Sequence, residues 1–75
     1  MENLLGHEER HVPRIRRFVR RHIGRLVIVE LFDGTIFTGV ILSSGLVTFR
    51  LRIRRRNRRI IIVIAFRKVR RIRLI

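Results

Sequence analysis

A chain of 75 residues without cysteine makes one domain, buries only roughly 60% of the surface its unfolded form exposes, and has no disulfide or thiolate metal site to staple it. Nineteen Lys+Arg against five Asp+Glu give a formal charge of +14, which points to a polyanion: nucleic acid first, an anionic membrane surface second. The blander reading of that charge is that it keeps an apolar chain in solution.

Residues 1–12 show no clear periodicity and are expected to form a flexible tail ahead of a single domain over 13–75. The stretch "HEERH" (His7 to His11) matches the letter of a zinc-protease motif. That chemistry needs both histidines on one face of a buried helix, a third ligand and a cleft. Pro13 follows too closely for this, so a solvated charged segment is expected and no metal site.

From Pro13 the pattern turns helical. Ile15, Phe18, Val19, His22 and Ile23 fall on one stripe, with Arg14, Arg16, Arg17, Arg20 and Arg21 opposite. Proline suits the first turn and Gly24 the stop, which predicts a helix over about 13–23. His22 reads as a half-buried packing residue.

The period then shifts to two. "RLVIVELF" and "TIFTGVIL" flank Asp33-Gly34, the pair favoured by type I′ turns, and predict strands over about 25–32 and 35–42. Gly39 inside the second strand suggests the sharp bend of a small barrel. A third strand over about 46–54 sets Val47, Phe49, Leu51 and Ile53 against Thr48, Arg50, Arg52 and Arg54: a core face and a cationic face. After "RRNR", a fourth strand covers about 59–66 and a short fifth about 69–75. The predicted fold is mainly β, an N-terminal helix followed by a strongly bent five-stranded antiparallel barrel.

Ile60 to Phe66 are seven consecutive apolar residues. A membrane-spanning helix needs about 20, so no span is expected. The first ten residues lack the basic and apolar regions of a secretory signal, so the expected location is cytoplasmic. In a monomeric barrel one face of the fourth strand would be polar, and it is not. The helix stripe is one candidate cover. Pairing of this strand with the last strand of another copy is the favoured one, with Ile60, Ile62, Ile64, Val69 and Ile72 as the expected interface.

No catalytic constellation is present. The carboxylates are Glu2, Glu8, Glu9, Glu30 and Asp33, Ser43 and Ser44 have no histidine nearby in sequence, and no glycine-rich phosphate loop occurs. No enzyme and no cofactor are expected. The arginines remain, because guanidinium forks hold phosphates and stack on bases. Phe37 and Phe49 fit the core pattern, while Phe32 and Phe66 flank turns, where packing in the core or an interface is the favoured role and stacking on a base the alternative.

The stretch "VIVELFDGTIFTG" resembles the first Sm motif, with Val27, Val29, Leu31, Gly34, Phe37 and Gly39 at its apolar and glycine places. "IIIVIAFRKVRRIRLI" resembles the second, more weakly. The resemblance covers about residues 13–75. It implies a bent barrel joined into a ring of six or seven copies, the fourth strand of one pairing with the fifth of the next. It also implies single-stranded RNA as partner, met near the pore by Phe66, Arg67 and Lys68, with Arg50, Arg52 and Arg54 extending the path. The family's Asp and Asn in the loop before strand three are absent; Gly45, Thr48 and Phe49 stand there. Phosphate binding, rather than uridine reading, is what the resemblance carries over. Other readings are a structural assembly protein of the same barrel whose arginines meet acidic partners, a DNA-coating protein, or a peripheral membrane protein.

Overall fold

A computed structural model describes residues 10–75. The tail expected over 1–12 lies mostly outside the described residues, as do His7, Glu8 and Glu9.

Helix α1 spans Val12–Arg21, with Pro13 in its first turn and arginines in its last. Proline costs nothing there, because the first helical amides have no partner to lose. Arg20 and Arg21 lie at the negative end of the helix dipole. The helix buries Ile15 and Val19, half-buries Phe18, and packs against residues of the second strand (Ile36–Ser44), the last strand (Val69–Leu74) and the turn that precedes the last. Its end comes earlier than the apolar stripe suggests: the His22 amide donates to the Val19 carbonyl, and Ile23 lies beyond the helix, exposed. The His22 ring sits on that of Phe18, centroids 4.2 Å apart, with Nδ1 2.7 Å from the Phe18 carbonyl oxygen. Gly24 then takes φ +84°, a backbone state that side chains rarely allow.

Five strands follow: β1 Leu26–Leu31, β2 Ile36–Ser44, β3 Thr48–Arg55, β4 Arg58–Ala65 and β5 Val69–Leu74. They form one antiparallel sheet in the order β4-β3-β2-β1-β5. Alternation chooses the faces. Val27 and Val29 of β1, Ile41 of β2, Phe49, Leu51 and Ile53 of β3, Ile64 of β4 and Val69 of β5 point inward and make the core with Ile15, Val19 and Phe66.

At Gly39 the fit between β2 and β3 is close: a Cβ there would lie 2.4 Å from the Arg52 carbonyl oxygen. Only glycine lets the two backbones approach so far.

The β1–β2 turn differs from the expected type I′. Leu31 pairs through its amide with the Thr35 carbonyl, and the Gly34 amide donates to the Leu31 carbonyl. Among residues 32–34 only Gly34 has positive φ, at +93°. This is a three-residue loop closed by a left-handed glycine, the next most common hairpin connection. The turn is stretched by one residue because the Asp33 carboxylate accepts a hydrogen bond from the Thr35 amide at 2.9 Å. The two-residue turn with both φ positive occurs instead between β3 and β4, at Arg56 (+52°) and Asn57 (+66°).

Val47 also differs. The alternation of β3 extended back to it in sequence, but the Gly45 amide bonds the Thr48 carbonyl, and this turn leaves Val47 61% exposed.

Candidate nucleic-acid interface

Three connections meet at one end of the barrel. The Phe32 amide in the β1–β2 turn donates to the Lys68 carbonyl at 3.0 Å, and the Phe66 amide donates to the Val47 carbonyl at 2.9 Å. The β4–β5 connection, a single 3₁₀ turn over Phe66–Lys68, is thereby bonded to both other turns. From the helix, an Arg16 guanidinium nitrogen donates to the Leu46 carbonyl at 2.8 Å. Backbone bonds of this kind hold exposed turns in one register, so the backbone positions from which their side chains project are fixed relative to one another.

The surface at this end is cationic and apolar. Arg67 and Lys68 are exposed, with Phe32 beside them at 59% exposure and Leu46 at 71%. A cleft of about 340 Å³ runs between the helix start and the turns, lined by Val12, Pro13, Arg16, Leu46, Val47 and Arg67 above the buried Phe66. The His11 ring meets Phe32 edge-on, centroids 5.2 Å apart, and its buried Nε2 has no hydrogen-bond partner among the described residues. The second histidine of "HEERH" is thus a packing group. Among the described residues no three His, Cys, Asp or Glu side chains gather where they could hold a metal ion.

The Asp33 carboxyl is held below the usual carboxylate range, chiefly by the Thr35 backbone amide and also by the Thr35 side chain. The charge of Lys68 acts in the same direction, more weakly. The lowered pKa favours the ionised form of Asp33, whose bond to Thr35 braces the β1–β2 turn beside Lys68.

The expected RNA residues are placed unequally. Arg67 and Lys68 stand on the surface at the junction of the turns. Arg50 and Arg54 are exposed and Arg52 half-buried on the outer face of β3, running from this end of the barrel to the tip of the β3–β4 hairpin. Phe66 is a correction: its ring is fully buried and stacks on Phe49 at 5.3 Å, so it cannot receive a base. The chain carries no signal for this, because Ile61, Val63 and Ala65 are as apolar as Ile60, Ile62 and Ile64, and only the folded strand shows that Phe66 joins the inward face. Phe32 is the exposed aromatic. Leu46, Val47 and Arg16 join the site without being anticipated, and nothing in the sequence distinguishes Arg16 from Arg14 or Arg17.

For the expected interface the alternation runs the other way. Ile60, Ile62 and Ile64 of β4, with Val69 and Ile72 of β5, point into the protomer's own core. The outward side chains of β4 are Ile61, 58% exposed, and Val63, 61% exposed. Both β4 and β5 are edge strands, since β1 and β3 pair on two sides and these on one.

No helix among the described residues is long and apolar enough to cross a membrane. No known protein family and no curated protein matches the sequence. Among solved structures, the crystal structure of a heptameric archaeal Sm protein, determined for its implications for the eukaryotic snRNP core, superposes with a TM-score of 0.59. The match covers 79% of this chain and 97% of that one at 20% identity. An N-terminal helix leading into five bent antiparallel strands, with β4 and β5 at the two edges, is accordingly an Sm-like fold.

Proposed function

We propose that this chain is a non-enzymatic Sm-like subunit that joins copies of itself into a ring and binds single-stranded RNA, mainly through arginine–phosphate contacts. The observation that carries the reading is the state of the two sheet edges. β4 offers a free backbone ladder and two bare aliphatic side chains, Ile61 and Val63, while β5 offers a second free ladder at the opposite end of the sheet. An exposed apolar edge such as that of β4 is joined to another strand or aggregates. Two complementary edges on opposite ends of one sheet close into a ring when the rotation between copies allows it. The solved Sm protein that resembles this chain is a heptamer, which supports a hexamer or heptamer here.

RNA enters through the cationic turns. Arg67 and Lys68 take phosphates, Phe32 offers a stacking face, and Arg50, Arg52 and Arg54 continue the path over β3. The absence of an Asn at the base-reading place of the family favours backbone contacts over sequence reading. Binding of this type releases counterions, so each phosphate contact adds about 0.7 to the slope of log K against log salt for a single strand.

Titration of a labelled ten-nucleotide RNA at several salt concentrations, alongside native mass spectrometry, tests both halves. The expected result is a multiple of 9.1 kDa and an affinity that falls steeply with salt, weakened further in R67Q/K68Q. A 9.1 kDa species that stays folded at micromolar concentration removes the ring. Affinity indifferent to salt removes the RNA mechanism.

A further inference from the structure

The tip of the β3–β4 hairpin is not explained by a strand of RNA lying on the barrel. The β2 ladder on β3 begins at Gly39 opposite Ile53, so residues 54–59 continue past it as a bare two-stranded ribbon. All six are exposed. Five of them are arginine, and they are arranged in opposed pairs: Arg54 faces Arg59 and Arg55 faces Arg58 across the ladder, with Arg56 in the turn. Like charges directly opposite each other destabilise a hairpin. No carboxylate lies anywhere on β3 or β4 to offset them. Among the described residues, only Arg16 of all the arginines is held by a side-chain hydrogen bond, and none of these five is.

The pairing also fixes directions. Adjacent residues of a strand point to opposite faces, so Arg54 and Arg59 project from one face of the ribbon and Arg55 and Arg58 from the other. The first face is continuous with Arg52 and Arg50. The second is continuous with the core side chains Ile53 and Ile60, and a strand crossing the outer surface of β3 would never meet it. A ribbon that is cationic on both faces and at its tip is matched to phosphates on both sides, as between the two backbone walls of a duplex groove. The B-form major groove, about 12 Å wide, admits a two-stranded β-ribbon. The A-form major groove is too deep and narrow for side chains to enter.

We infer that residues 54–59 form a second nucleic-acid element, a ribbon that inserts into the major groove of duplex DNA and clamps the phosphates on both walls through Arg54/Arg59 and Arg55/Arg58. The element stands apart from Arg67 and Lys68 and shares only Arg54 with the proposed RNA path, so Arg55 and Arg58 distinguish the two. The paired arginines act on phosphates, which position the ribbon without reading sequence; only Arg56 and Asn57 in the turn are placed to reach base edges.

The discriminating change is R55Q/R58Q, which strips the face that a single strand on the barrel does not use. Anisotropy titrations with a 20-base-pair DNA duplex, the same sequence as duplex RNA, and a ten-nucleotide single-stranded RNA supply the arms. The intact protein should bind the DNA duplex at least about tenfold more tightly than the RNA duplex. R55Q/R58Q should lose about tenfold in DNA-duplex affinity, and its salt slope should drop by about 2, near 0.9 for each lost phosphate contact. Its single-strand affinity should stay within about twofold. R55K/R58K, which keeps the charge and the native repulsion, should retain most duplex binding and controls for folding together with circular dichroism. R17Q/R20Q on the exposed helix face removes the same charge elsewhere and should leave duplex binding within about twofold. Equal losses on duplex DNA and single-stranded RNA, an unchanged duplex affinity in R55Q/R58Q, or equal binding of the two duplexes would each overturn the assignment.

Discussion

Two of the sheet's hairpins, a first formed by β1–β2 and a second by β3–β4 at the far edge, are both antiparallel and carry opposite chemistry. In the first, β1 is paired on both sides, by β2 and β5, and Val27 and Val29 are fully buried. Its turn has a carboxylate that bonds a backbone amide and a glycine where the left-handed conformation is required. In the second, β4 is paired on one side, Ile61 and Val63 are bare, and the turn forces Arg56 and Asn57 into left-handed φ without glycine. The first hairpin is buried along its strands and leaves apolar side chains bare only around its turn, at Phe32 and Ile36. The second has a bare apolar edge along β4 and a cationic tip, which is where the proposed partners would dock.

The largest effect should come from charging the apolar edge. I61R/V63R leaves the inward set Ile60, Ile62 and Ile64 untouched, so the barrel should still fold. Two charges placed where a neighbouring strand must desolvate them are too costly to bury. The expected outcome is complete loss of assembly at micromolar concentration, read by light scattering as a 9.1 kDa particle with an unchanged β-type circular dichroism spectrum. The same double substitution on the first hairpin's outer face, at Thr38 and Val40, should leave the mass as it was. Equal masses in both variants would mean that the β4 edge joins nothing.

A smaller effect should follow from loosening the seam between the hairpins. Gly39 of β2 lies against the carbonyl of Arg52 of β3, and the methyl group of an alanine would meet that oxygen at 2.4 Å. The obstacle is backbone, not a flexible side chain, so the strands must part. G39A should cost about 1–3 kcal/mol, the range for forced overpacking, measured by urea unfolding at matched protein concentration. A loss under about 0.5 kcal/mol would show that the seam is not tight.

The same contrast decides what could be read before folding. Strand count, helix position and the two faces of β3 follow from periodicity, because Phe49, Leu51 and Ile53 alternate with arginines too polar to bury. Alternation misleads at strand ends, where it keeps running after the ladder stops: Val47 looks like core and is exposed. In β4 every residue from Ile60 to Phe66 is apolar, so composition cannot choose a face, and register alone turns Ile61 and Val63 outward. Turn chemistry was ambiguous in the same way. Asp33-Gly34 carries the stronger signal for a two-residue turn, yet the hydrogen bond from Thr35 draws Asp33 into a longer loop, and "RRNR" takes the tighter form. Of the candidate site, Arg67 and Lys68 are legible as a basic turn. The part played by Leu46 and Arg16 is not, because it depends on a hydrogen bond spanning 30 positions of sequence.

The smallest effect distinguishes the hairpins by acid. Asp33 has its pKa lowered on folding, chiefly by the Thr35 amide. A lowered carboxyl pKa means that the unfolded chain binds the proton more readily than the folded one. The stabilisation is therefore fully present above the unfolded value, about 3.9 for an aspartate, and is lost as pH falls through the lower folded value. Asp33 is fully exposed, so the change is modest and confined to the acid side. The second hairpin has no carboxylate at all and contributes nothing to it. D33N keeps an oxygen that can accept from Thr35 but cannot ionise. Its thermal midpoint should fall less steeply than that of the unaltered protein between about pH 4 and pH 2, the two curves running parallel above pH 5. Curves parallel down to pH 2 would mean that the charge on Asp33 does not hold the first hairpin's turn, and that its difference from the arginine turn is one of backbone shape alone.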